Sequence, residues 1–352
     1  MTLMTIWICL SFLSLSTAFL LTGNYFTVKH YNNKPSYSVM TLSNGESPEA
    51  SAVVIELSQY KSPLLEINPH WNEMLAKQDH PNNNFNLLWE QIELEARAAL
   101  GPEPEAGPQI YQAILSQPNL TEAIVSVIAH EIETELIKAT ELHNLFLQML
   151  TEEDKYFIHN DVVAAATRSP SIDSAITAVL FHTGLHALVC YRVGHRLWQA
   201  ERNGLSYYLQ STVSRRYSAD IHPACKMGSG IYLCSAAGVV IGETARIGND
   251  VSILHGVTLG GTGKERGDRH PKVGHGVLLE DGATVLGNIP VGDGAVVTAK
   301  SIVTRAVEPL AVVSGVPAKQ MSTRSLKKEG FVNDLDEHLS VKYLEKWKQQ
   351  YT

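Results

Sequence analysis

The chain has 352 residues, 44% of them hydrophobic and 18% charged, the composition of a globular protein long enough for two domains and a leader. A net charge of −8 without a long basic run argues against nucleic acid as the main partner. Of the four cysteines, Cys9 lies in the apolar N-terminal stretch, Cys190, Cys225 and Cys234 are too few in a large domain for a disulfide framework, and no CxxC pair suggests a structural zinc site.

The first 28 residues carry no charged side chain, and Ile6 to Leu21 is almost wholly apolar. Ser16 and Ala18 give the small-x-small pattern of a signal peptidase site, so residues 1–18 read as a signal peptide cleaved after Ala18. An uncleaved membrane anchor is the alternative, but the apolar run is short for a span, which needs ~20 residues. Residues 19–68 read as a transit peptide and linker: up to Gly45 there are Lys29 and Lys34, no acid, and many Ser, Thr and Asn. The Thr17-Ala18-Phe19-Leu20 junction resembles the Ala-Phe cleavage junction of bipartite plastid-targeting leaders in algae with secondary plastids. Plastid delivery is therefore expected, with secretion or membrane anchoring as alternatives.

Residues 69–202 read as a helical domain. Leu87, Leu88, Trp89, Ile92 and Leu94 start one helix that stops at Gly101-Pro102, before a breaker-rich connection to Gly107-Pro108. Asn119 caps the next, with Glu122 three residues on, and its apolar stripe is Ile124, Val127, Ile128, Ile132 and Leu136. Thr151 with Asp154 repeats the start signal. Ser169-Pro170 predicts another start, with proline first in the helix. That helix carries His182, His186, Arg192 and His195 into Trp198. The three histidines read as satisfied core or interface residues. No acid or cysteine recurs with them at ligand spacing, so no metal site is expected.

From Ile221 the pattern changes. Ile221, Met227, Leu233, Val239, Ala245, Val251 and Val257 recur every sixth position, as do Val273, Leu279, Val285, Val291, Val297 and Val303. A hexapeptide beat marks a parallel β-helix, whose stacked coils bury one aliphatic column. Residues 203–321 are assigned to this domain. Val257 and Val273 are sixteen apart, so a loop from Gly260 to Lys272 must leave the coil. A glycine-rich, charged excursion from a regular solenoid is a place for function. The tail, 322–352, carries Leu335, Leu339, Tyr343 and Trp347 at helical spacing.

Several motifs carry a family resemblance. They are Leu185-His186-Ala187-Leu188 with Tyr191-Arg192-Val193-Gly194-His195; Asp220-Ile221-His222-Pro223; Val240-Ile241-Gly242-Glu243-Thr244-Ala245; Val257-Thr258-Leu259-Gly260-Gly261-Thr262-Gly263-Lys264; Gly267-Asp268-Arg269-His270-Pro271-Lys272; and Gly315-Val316-Pro317-Ala318. From about Trp89 to Lys319 the chain resembles the serine O-acetyltransferase family. The resemblance implies an α+β architecture: an N-terminal helical domain on a left-handed parallel β-helix, trimeric through the β-helix and hexameric through the helices. It implies acetyl transfer from acetyl-CoA, a co-substrate rather than a bound cofactor, to L-serine in cysteine biosynthesis.

The resemblance also assigns roles. Asp220 is the carboxylate that orients the base, and Arg269 and His270 hold the acceptor's carboxylate end. Gly260, Gly261, Gly282, Ala299 and Lys319 line the coenzyme A groove between subunits; for each glycine a coil corner that needs an unusual backbone angle is the structural alternative.

The chain departs from the family where the base belongs. The family's Asp-His-Ala-Thr-Gly is here Cys234-Ser235-Ala236-Ala237-Gly238, so Ser235 stands at the catalytic histidine and Cys234 at an acid that contacts the acceptor amine. A third acid, in an Arg-Asp-Pro motif, is here Ser169. General-base catalysis is typically worth ~10²–10⁴-fold, and a serine cannot supply it. His255 lies two places after inward Ile253, the offset that Ser235 has from Leu233, and is the candidate for a relocated base, against the plainer reading of a surface or coil-packing histidine. A non-catalytic subunit that joins active paralogues, and an acyltransferase with another acceptor, are the rival readings. Docking on O-acetylserine sulfhydrylase through a terminal isoleucine is not expected, since the sequence ends Gln350-Tyr351-Thr352.

Overall fold

The computed structural model describes residues 81–324 except 102, 103, 173 and 265, plus short strands within 17–56. Residues 1–78 form a separate unit, in which the strands Thr17–Thr22 and Tyr25–His30 pair antiparallel. The expected leader lies mostly, and the helix over 335–347 wholly, outside the described residues.

Seven main helices lead into the solenoid: α1 (Pro81–Ala99), α2 (Leu120–Ile132), α3 (Ala139–Met149), α4 (Glu152–Arg168), α5 (Ala175–Phe181), α6 (Thr183–Gln199) and α7 (Asn203–Tyr217). α1 begins at Pro81, ahead of Leu87, because proline is tolerated in a first turn. Leu88, Ile92 and Ala96 face inward, while Leu87 and Leu94 are exposed. The connection after Gly101 contains short helical turns from Pro104 to Leu115, so it is less irregular than its breakers suggest. Asn119 Oδ1 accepts from the Glu122 amide at 3.0 Å, and Thr151 forms a reciprocal capping box with Asp154.

Three expectations fail locally. Leu136 lies beyond the end of α2 and is exposed, so it does not continue that helix's stripe. Ser169 caps the C-terminus of α4 rather than starting a helix; the next N-cap is Ser174, whose Oγ accepts from Thr177 N. The expected single helix breaks at His182, whose Nδ1 accepts from Leu185 N at 3.2 Å and so caps α6. A histidine acting as N-cap is not legible from spacing. α7 carries the helices past residue 202, and the first coil strand is Asp220–Ile221.

The coil strands stack in parallel on three faces. The first runs Asp220–Ile221, Val240–Ile241, Thr258–Gly260, Thr284–Leu286 and Ile302–Val303. The second runs Lys226–Met227, Arg246–Ile247, Lys272–Val273 and Pro290–Val291. The third runs Tyr232–Leu233, Ser252–Ile253, Leu278–Leu279, Val296–Val297 and Ala311–Gly315, and is closed by antiparallel Ala318–Thr323. Every residue of both predicted six-residue series is buried. Two-residue strands are marginal alone; the shared aliphatic column and the ladder from coil to coil hold them.

The helices grip the first coils through buried polar contacts. Arg192 Nε donates to Asp161 Oδ2 at 2.8 Å, Asp161 Oδ1 accepts from the Ile231 amide at 2.9 Å, and Arg192 Nη2 reaches the Gly228 carbonyl at 2.9 Å. Arg168 donates to the Gly230 carbonyl at 2.9 Å and pairs with Asp250. Tyr191 donates to the Cys225 carbonyl at 2.7 Å, and His195 Nδ1 bonds the Pro223 carbonyl at the same distance.

Candidate active site

The loop that leaves the third coil turns back over the corner between the first and second faces. Its base is pinned by Lys272, whose ammonium donates to Asp268 Oδ1 and to the carbonyls of His270 and Thr244. That bond holds the Asp268 carboxyl below its ordinary range. Thr244 Oγ1 accepts from the amides of Arg269 and His270, at 3.0 and 3.1 Å. His270 Nδ1 in turn accepts from the Thr244 amide at 3.1 Å, which leaves the ring proton on Nε2. The ring lies across Gly242, where a Cβ would fall 2.1 Å from His270 Nε2. Burial, then the Arg269 charge, push the His270 pKa down, so the ring is a neutral donor at neutral pH. Arg269 is aimed by Glu243 at 2.7 Å and by the Gly267 carbonyl at 3.0 Å, two of the five N–H groups it can offer. The Glu243 carboxyl is held below its usual range by that bond.

The other candidates sit on a different edge, the corner between the third and first faces. Strand register pairs Leu233 with Ile253, Leu279 and Val297 in turn. Two places on from each come Ser235, His255, Asp281 and Ala299; past the strands the amides of Gly256, Gly282 and Lys300 donate to the carbonyls of Ala237, His255 and Asp281, so Ala237, His255, Asp281 and Ala299 form one column along the edge, with Ser235 just before it. His255 Nδ1 lies 2.8 Å from Asp281 Oδ1, and both side chains are about half exposed. The sequence reading missed Asp281, although the count that singled out His255 also reaches it. Positive φ at Gly256, Gly282 and Lys300 marks the same turn in successive coils, so corner geometry explains Gly282.

Ser169, Cys234 and Ser235 come together beneath the start of α6. The Tyr232 side chain bonds both Ser169 and Cys234, and burial raises its phenol well above the ordinary range. Thr183 Oγ1 donates to the Ser235 carbonyl at 3.0 Å. His182 stacks on Tyr232 with ring centroids 6.0 Å apart, and burial lowers its pKa to about 4. Asp220 lies at the start of the first face, where its Oδ1 accepts from Gln210 Nε2 at 2.7 Å; no imidazole occupies position 235 for it to orient.

The donor-site candidates divide between the same two edges. Gly260 and Gly261 open the loop, the second with the Arg269 side chain 3.4 Å from where a Cβ would be. Gly282 and Ala299 lie on the His255 edge, and Lys319 pairs with Ser314 on the closing strand. The other sequence histidines are structural: His186 joins Glu131 Oε2 at 3.0 Å to the Val179 carbonyl at 2.8 Å. Among the described residues no cluster of histidine, cysteine and acid could hold a metal ion.

Four similarities to known proteins accompany this fold. The family described as "Serine acetyltransferase, N-terminal" matches residues 88–190. "Serine acetyltransferase 4" of Arabidopsis thaliana is 41% identical over 279 residues, covering 79% of this chain and 76% of that one. Among solved structures, serine acetyltransferase in complex with coenzyme A from Brucella abortus strain S19 superposes with a TM-score of 0.67 at 41% identity, covering 68% of this chain and 96% of that one. Soybean serine acetyltransferase complexed with serine superposes with a TM-score of 0.66 at 40% identity, covering 67% and 98%.

Proposed function

The chain belongs to the serine acetyltransferase family, and from that membership we propose that it moves the acetyl group of acetyl-CoA to the side-chain hydroxyl of L-serine, feeding cysteine biosynthesis. The observation that carries this reading is the folded loop, which presents Arg269 and neutral His270 as ready donors. The serine hydroxyl oxygen attacks the thioester carbonyl carbon, the carbon–sulfur bond breaks, and the hydroxyl proton passes by way of a base to the leaving thiolate. The unused N–H groups of Arg269 hold the acceptor carboxylate, and His270 Nε2–H donates beside them. These groups are preorganised by Thr244 and Glu243, so they need no reordering when substrate arrives.

Arg269 and His270 lie on one edge of the prism, and Ser235, His255 and Asp281 on another. A site that uses both therefore joins two copies, and a homotrimer, paired into a hexamer through the helices, is the assembly we propose. Acetyl-CoA lies along the groove between copies, with Gly260, Gly261, Gly282 and Ala299 along its walls and Lys319 at the far end. The leader of residues 1–68 delivers the enzyme to the plastid in this reading, the Ala18-Phe19 junction being its support.

A different acceptor is the second reading, favoured by one observation. The cluster of Ser169, Tyr232, Cys234 and Ser235 supplies no carboxylate to hold an ammonium group. The test is thiol release from acetyl-CoA with L-serine, beside Arg269→Ala. We expect serine-dependent release and a rise of about 10–100-fold in the KM for serine in the variant, the weight of charge-assisted hydrogen bonds. Release with another hydroxyl compound but none with serine would favour the second reading.

A further inference from the structure

We infer that His255, oriented by Asp281, is the general base of this chain and does the work expected of a histidine at position 235. The inference rests on the serine acetyltransferase reading above and adds to it the group that takes the proton.

The other histidines on or near the site are eliminated by their bonds. His182 lies beside Cys234, but its Nδ1 accepts from Leu185 N and its ring also bonds the Cys234 carbonyl, so both nitrogens are engaged. His270 has Nδ1 committed to Thr244 and its ring packed on Gly242, on the opposite edge. His222 has Nδ1 committed to the Ala224 amide at 3.1 Å, between the first and second faces. His255 alone of these has one nitrogen fixed by a carboxylate and the other uncommitted among the described residues.

Its geometry is that of an oriented base. Nδ1 donates to Asp281 Oδ1 at 2.8 Å, which fixes the tautomer and leaves the lone pair on Nε2. Nε2 lies on the other side of the ring from Nδ1 and has no partner among the described residues, and the coil of Ser235 stacks on this one. Small residues there, Ser235 and Ala237, leave that side open, and both are exposed. The coil of Ser235 is also two residues longer at this corner: Asp220 to Val240 spans 20 positions, against 18 from Val240 to Thr258.

His255 stands one coil, about 4.8 Å, on from Ala237, which follows Ser235 by two residues. The displacement runs toward Gly282 and Ala299, the donor-side candidates of the same edge. It also reverses the arrangement expected of the family, because the orienting carboxylate lies in the coil after the histidine rather than before it. The charged neighbours are Glu280, which accepts from the Ala299 amide at 2.9 Å, and Lys300, whose side chain crosses Gly282. In the reaction Nε2 takes the proton of the serine hydroxyl as its oxygen bonds to the acetyl carbon. The imidazolium then returns that proton to the sulfur as the carbon–sulfur bond breaks. No oxidant or further reactant is required.

The test compares the full-length natural chain with His255→Ala, Asp281→Asn and Asp281→Glu, following thiol release from acetyl-CoA with L-serine. We expect His255→Ala to lower kcat by roughly 10²–10⁴-fold with little change in either KM. Added imidazole will restore part of that rate, which it could not do for a folding defect. Asp281 is a positioning residue: Asp281→Asn will lower kcat about tenfold or more, and Asp281→Glu will recover much of the loss. Melting temperatures will be unchanged, because both side chains are half exposed. An active natural chain whose His255→Ala variant is equally active overturns this proposal alone. A natural chain that does not turn over serine overturns the reading it rests on, and this one with it.

Discussion

Arg192→Leu is expected to destabilise the fold by about 3–5 kcal/mol, because it leaves the Asp161 carboxylate buried without its partner. Asp161 is fully enclosed and Arg192 is 3% exposed, so water cannot replace the lost donors. The same guanidinium reaches the Gly228 carbonyl and covers the Phe157 ring at 4.9 Å, so its loss also opens the joint between α4, α6 and the first coil. For a domain of this size the cost corresponds to a fall in Tm of roughly 6–20 °C. Thermal unfolding followed by circular dichroism measures it. An Asp161→Asn/Arg192→Leu double variant will recover part of the loss, since the stranded charge is the larger penalty. A single variant that melts within a degree of the natural protein would show that the ion pair does not hold the two domains together.

Gly184→Ala is expected to be nearly as damaging, through backbone contact rather than charge. A Cβ at 184 would fall 1.7 Å from the Leu233 carbonyl oxygen and 2.9 Å from that of Cys234. Both are main-chain atoms held in the coil ladder, so no side chain can swing aside. Overpacking typically costs 1–3 kcal/mol, and a rigid backbone neighbour puts this site at about 3. The displaced segment is Tyr232–Ser235, which carries the candidate acceptor contacts. Loss of serine turnover is therefore expected even in the fraction that stays folded. A variant with natural Tm and natural KM for serine would mean that α6 does not set the position of that strand.

The solenoid was legible because its physics is periodic. One aliphatic residue per six positions has no other regular reading, and every position of both series is buried. The break in that beat located the loop of Arg269 and His270. Helix starts at Asn119 and Thr151 were legible because their side chains bond amides only three residues away. The start at Ser169 failed because the same residue type closes a helix as readily as it opens one, and only the tertiary setting decides. The break at His182 failed because imidazole is an uncommon cap. Asp281 was missed for another reason: its partner lies 26 residues earlier, one coil away, and the loop between Gly260 and Lys272 lengthens that separation beyond the regular coil repeat. That the functional side chains occupy two edges was also hidden, since the hexad pattern is the same on every face.

On the mechanism proposed for His255 and Asp281, this scaffold acetylates serine without a histidine at 235. The most direct measurement sets the natural chain beside a Cys234→Asp/Ser235→His double variant, following thiol release from acetyl-CoA with L-serine under identical conditions. Serine-dependent turnover by the natural chain, lost on His255→Ala, is the expected result. Turnover by the double variant alone would contradict it, because donor site and fold would then be intact while the natural chain lacked a working base.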